Sequence, residues 1–106
     1  MEITTKNKYT LELHQMEMEA MNLWERGRIR GYTVNNNHTP DHWEMAIMVT
    51  FLPEGDRAYD TTLVWRAASW GMFDGGLGRR LHDEILRMNA EDRQARIDND
   101  KKLSLL

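Results

Sequence analysis

The chain has 106 residues, 41% hydrophobic and 29% charged, which is ordinary for a globular domain and too apolar for a disordered one. Its net charge of −3 argues against nucleic acid as a direct ligand, because phosphate neutralisation calls for a basic surface. With no cysteine, a disulfide framework, a thiolate metal site and a thiol nucleophile are excluded.

The opening MEITTKNKYTLELH lacks the basic segment and apolar run of a secretory signal, and no apolar stretch approaches the ~18–20 residues that span a bilayer. A cytoplasmic protein with no membrane partner is expected. Four Trp and eight Met are many for so short a chain. Tryptophan anchors binding hot spots and methionine suits adaptable surfaces.

Along the chain, Ile3, Tyr9, Leu11 and Leu13 alternate with Glu2, Lys6, Lys8 and Glu12, which predicts a half-buried first strand. From Gln15 to Arg26 the period is helical: Met16, Ala20, Leu23 and Trp24 share one face, and Gly27 stops the helix. RIRGYTV (28–34) predicts a short strand and NNNHTPD (35–41) a turn. Trp43, Met45, Ile47, Val49 and Phe51 alternate with Glu44, Ala46, Met48, Thr50 and Leu52, so this strand is apolar on nearly both sides and belongs inside a sheet. PEGD turns the chain, and Tyr59, Thr61, Leu63 and Trp65 complete a hairpin.

After AASWGMFDGG a second helix carries Leu77, Leu81, Ile85 and Met88 on one side; beyond Asn89, Ala95 and Ile97 are its few apolar contacts. Residues 1–98 are expected to form one α+β domain, with 99–106 a charged, frayed tail. The expected order is β-α-β-β-β-α, a mainly antiparallel sheet of about four strands with both helices on one face.

DGGLGRR (74–80) opens that second helix. A helix N-terminus offers free N–H groups to anions, glycines allow close approach, and Arg79 and Arg80 supply charge. No lysine followed by serine or threonine comes after Gly78, so this is not a P-loop. Gly76, Leu77 and Gly78 resemble the last positions of the acetyl-coenzyme A loop of the general N-acetyltransferase superfamily, Arg/Gln-x-x-Gly-x-Gly/Ala. The resemblance covers about a dozen residues. Phe73 stands where that family has Arg or Gln, and only a charged tail follows where further strands are expected. The alternative to a ligand loop is a plain helix start, with Asp74 as N-cap, Gly75 and Gly76 turning the chain, and Gly78 kept small for packing against Trp70.

His38 and His42, with Asp41 and Glu44 nearby, have metal-ligand spacing, but Pro40 intervenes and no third ligand follows. A polar turn is the expectation, and no metal or cofactor is implied. Ser69, Ser104 and the histidines lack a local catalytic signature, and His82 falls on the outer side of helix two. Arg26, Arg28 and Arg30 read as charges protecting an edge strand.

The outward helix faces are more telling. Met18 and Met21 lie away from the stripe of Ala20 and Leu23, beside Glu25, and Leu86 lies opposite Leu77. These four residues make a candidate partner or homodimer contact. The expected function is a small non-catalytic protein-binding module, of the phage-type accessory or inhibitor kind, that docks on and blocks a host macromolecule. The alternative is a binder of a phosphorylated small molecule, acetyl-coenzyme A or a nucleotide, through Gly75, Gly76, Gly78, Arg79 and Arg80, as in a miniature N-acetyltransferase-like protein.

Overall fold

Helix α1 (Thr5–Glu25) begins where the Thr4 hydroxyl accepts the Asn7 N–H at 3.2 Å. It ends in a Schellman turn: Gly27 takes φ +69°, its N–H bonds the Trp24 carbonyl at 3.0 Å, and the Arg28 N–H bonds that of Leu23 at 2.8 Å. The computed structural model describes residues 4–105. Four strands follow, β1 (Ile29–His38), β2 (Trp43–Phe51), β3 (Thr61–Ala68) and β4 (Gly71–Asp74), and then α2 (Leu77–Ser104).

The sheet is antiparallel in the order β1-β2-β3-β4. Val34 pairs with Ile47, Ile47 with Trp65, and Trp65 with Asp74, so one row crosses all four strands. Both helices cover the same face of the sheet. Ile29, Met45, Ile47, Val49, Phe51, Trp65 and Ala67 meet Leu13, Met16, Ala20 and Leu23 of α1 and Leu77, Leu81 and Met88 of α2 in a single core. The architecture is therefore α+β, with an antiparallel four-stranded sheet and two helices. On the sheet's other face Met48 stays 44% exposed, and the Thr50 and Thr62 hydroxyls bond each other at 3.0 Å.

The order of elements differs from the sequence reading at the start. Thr5–Leu13 is helical, not a strand; Glu2 and Ile3 lie outside the described residues. Half-buried Tyr9 and buried Leu13 also stand four apart, and with Met16, Ala20 and Leu23 they continue one helical stripe. Leu11, which the alternation counted as inward, is 63% exposed. Trp24 is likewise 55% exposed, because Leu23 holds the centre of the buried face and the next residue turns about 100° away from it.

Three further boundaries move. β1 runs on to His38, because Asn35, Asn36 and Asn37 pair with Ala46, Met45 and Glu44. β4 lies within the stretch read as a connection. Residues 99–104 continue α2, where a frayed tail was expected.

α2 sets the shape of the molecule. Its 28 residues span about 42 Å. Only the part up to Met88 packs in the core, and from Asn89 onward every described residue but half-buried Asp92 is exposed. The principal extents are 66 × 40 × 18 Å and the radius of gyration is 17.8 Å, against about 13 Å for a compact chain of this length.

Candidate interaction surface

Charge fixes α2 in place. Glu84 lies on the α2 stripe between Leu81 and Met88 and is 6% exposed. Its carboxylate meets Arg28 at 3.1 Å, Arg80 at 3.0 Å and Arg87 at 3.3 Å. Glu54, in the β2–β3 loop, pairs with Arg80 at 2.9 Å and Arg87 at 2.6 Å. Arg28 also pairs with Glu91, Arg26 with Asp92 at 2.8 Å, and Arg30 with Asp60 at 3.0 Å. The arginines read as edge protection are thus engaged with α2 and with the start of β3. Burial disfavours the Arg28 charge, and its Nε has no partner, but the hydrogen bond to Glu91 outweighs this and raises its pKa.

These pairs make the fold sensitive to acid. The hydrogen bond from Arg26 holds Asp92 below its ordinary pKa, and Glu54 is held down by the hydrogen bond from Arg87 and then by the charges of Arg80 and Arg87. A depressed carboxylate contributes stability that is present above its unfolded pKa, about 4, and lost as pH falls through the folded value. The melting temperature is therefore expected to hold from neutrality to about pH 5 and to drop below about pH 4. Glu54→Gln with Asp92→Asn should flatten that drop in thermal scans, and an equally steep drop would show that other groups set it.

The glycine loop is a close-packed joint. Gly75 donates to the Val64 carbonyl at 3.1 Å, and a Cβ placed on it would lie 2.5 Å from that same oxygen. Asp74 ends β4 and accepts the Gly76 N–H at 2.8 Å; the N-cap of α2 is Gly76, at φ +79°, not Asp74. Gly78 faces α1, with the Met16 sulfur as its neighbour, and does not pack on Trp70. Arg80 is held by Glu54 and Glu84 and lies 4.4 Å over the Phe51 ring, so only Arg79 of the pair points freely outward. Two N–H groups and one arginine of the loop are thus occupied within the chain, with a carboxylate against them.

His42 has local partners as well. Its ring stacks on Trp70 at 4.5 Å, Nδ1 lies 3.2 Å from the Ser69 hydroxyl, and Nε2 lies 3.8 Å from Glu44. The Ser69 N–H bonds the Trp43 carbonyl at 3.1 Å, so the cluster clasps the β1–β2 turn to the β3–β4 turn. His38 pairs with Trp43 at the end of β1.

The outward residues of α1 come together. Met18 (54% exposed), Met21 (37%) and Glu25 line a groove of about 430 Å³ between the helices, with Glu19, Asn22 and half-buried Ile85. Leu86 is 52% exposed but falls outside this groove, in a hollow on α2 with Asn89, Asp92, Arg93 and Arg96. Glu19 also lines a cleft of about 350 Å³ shared by Glu12, Asp74, Trp65, Gly78 and His82. His82 Nδ1 stands 3.9 Å from the Glu19 carboxylate across it. The seam between the helices therefore presents methionine and isoleucine bordered by carboxylates.

Sequence reasoning missed Glu84, Glu54 and the Glu12–Glu19–Asp74 cleft. Glu84 did leave a signal, a carboxylate on an apolar stripe. Glu54 and the cleft left none, because their members meet only through the fold. Among the described residues no helix is long and apolar enough to cross a membrane. Comparison with protein-family models, with curated proteins and with solved structures finds no match to this chain.

Proposed function

We propose that the chain is a small non-catalytic protein-binding module that docks on another macromolecule through the α1–α2 groove. One observation supports this above the others: Met18, Met21 and Ile85, from two helices, line one groove together with Glu19, Asn22 and Glu25. Apolar side chains gathered in one groove with charge beside them distinguish a docking site from scattered exposed residues. Methionine adapts its shape to a partner, and the carboxylates select one with basic groups around an apolar centre. Bound there, the module blocks whatever that basic surface would otherwise hold.

Met18→Glu with Met21→Glu tests this reading. Both side chains are exposed, so thermal unfolding of the double variant should match the parent. Capture of a stoichiometric protein partner from native-host lysate should fall at least tenfold, the loss expected when two apolar contacts become charges. Undiminished capture by a folded variant would place the docking site elsewhere.

A further inference from the structure

The projecting half of α2 has little to hold it within its own chain. Asp92 and Glu91 pair with Arg26 and Arg28, and past them the described residues offer only the Gln94–Asp98 bond at 3.0 Å and two bonds from Ser104 back to the helix. A helix that is polar on all sides and packed on nothing is marginal in water. Yet the outer side of α2 has a pattern. At about 100° per residue, Leu86, Ala90, Arg93 and Ile97 fall in one stripe about 60° wide, opposite Leu81 and Met88. Leu86 is 52% exposed and Ile97 48%.

We infer that this stripe pairs antiparallel with the same stripe of a second copy, giving a twofold dimer in which each projecting end lies along the body of the other molecule. The charges fit that direction. With Leu86 facing Ile97 of the second copy, Asp83 comes beside Lys101 of that copy on one flank. On the other flank His82 comes beside Asp100 and Arg93 beside Asn89. Every contact occurs twice about the axis, as an isologous interface requires. Asp83 and Lys101 make no ion pair within the described residues, so both are available. A parallel pair would set the two projecting ends against each other, with neither lying along a packed body. The register also places the part of α2 without a core, Ala95 to Ser104, against the part that has one, Arg79 to Met88.

This surface is separate from the α1–α2 groove, and the two can be told apart by substitution. Sedimentation of the full chain over a wide concentration range should show the mass rising from 12.5 kDa toward twice that value. Helical circular dichroism should rise with it. Leu86→Glu with Ile97→Glu should stay monomeric with an unchanged core, read by near-ultraviolet dichroism, while Met18→Glu with Met21→Glu should dimerise as the parent does. Asp83→Lys and Lys101→Asp should each weaken association about tenfold, since a reversed pair occurs twice. The two reversals combined should restore it. A parent chain that is monomeric at every concentration would overturn the inference. So would a dimer indifferent to Leu86→Glu with Ile97→Glu, or combined reversals that fail to restore what each removes.

Discussion

Replacing Glu84 with alanine is expected to destabilise the protein by about 3 kcal/mol, the largest loss from any single charged side chain here. The figure follows from what remains behind. Glu84 is 8% exposed at its side chain and neutralises Arg28, Arg80 and Arg87, of which Arg28 and Arg80 are themselves only 24% exposed. Removing one partner from a buried ion cluster leaves the others uncompensated, and such losses run to roughly 3–5 kcal/mol. The partial exposure of the arginines puts the expectation at the lower end. For a domain of this size it corresponds to a fall of roughly 10–20 °C in melting temperature. Glu84→Gln keeps an acceptor without the charge and should lose about half as much. Urea unfolding of both variants measures this directly, and a loss under about 1 kcal/mol for alanine would mean that Glu54 and Glu91 suffice for the three guanidinium groups.

Two glycines three residues apart are expected to respond in opposite directions. Gly75→Ala would set a methyl 2.5 Å from the Val64 carbonyl oxygen and 3.3 Å from the Phe73 ring. The oxygen is backbone of β3 and accepts the Gly75 N–H, so it cannot retreat without breaking that bond. A loss of about 2–3 kcal/mol is expected. Gly78→Ala meets the Met16 sulfur at 3.8 Å, an ordinary contact, and removes a flexible residue from the first turn of a helix. It should raise stability by up to about 1 kcal/mol. The contrast tests whether the glycines of the loop serve packing. If both alanines were neutral, the joint would be looser than its geometry, and Gly78→Ala lowering stability would mean that α1 lies closer than this distance.

How much of this could be read from the chain alone depends on how local each signal was. The β2–β3 hairpin was legible because Trp43–Phe51 and Thr61–Trp65 alternate over their full length on either side of the Pro53–Asp56 turn residues. The stripe Leu77–Leu81–Ile85–Met88 was legible because it repeats for three turns. The first element misled because Tyr9, Leu11 and Leu13 satisfy a period of two, while Tyr9 and Leu13 satisfy a helix equally, and the deciding contacts lie in β1 and β2. β4 is only four residues long and every one is exposed, so it has no apolar pattern to read. Among the candidate site residues, Met18, Met21 and Glu25 could be placed together because they lie on one helix. Leu86 could not be separated from them until the crossing of the two helices was known. The partners of Arg26, Arg28 and Arg30 lie 30 to 66 residues away in sequence, beyond any local pattern.

The sheet order carries a consequence for how the chain acquires its structure. Each strand pairs with its neighbour in sequence, so the sheet can assemble from its turns outward by closing only short loops. α1 differs. It shares its core with α2, from which four strands separate it, and the joins Arg26–Asp92, Arg28–Glu91 and Glu19–His82 each close a loop of more than 60 residues. Loop closure over that span is the costly step, so docking of the helices on one another belongs late in folding, after the hairpins. The ion pairs at the end of α1 then act as the clasp of a finished sheet, stabilising the native state by slowing its opening more than by hastening its formation.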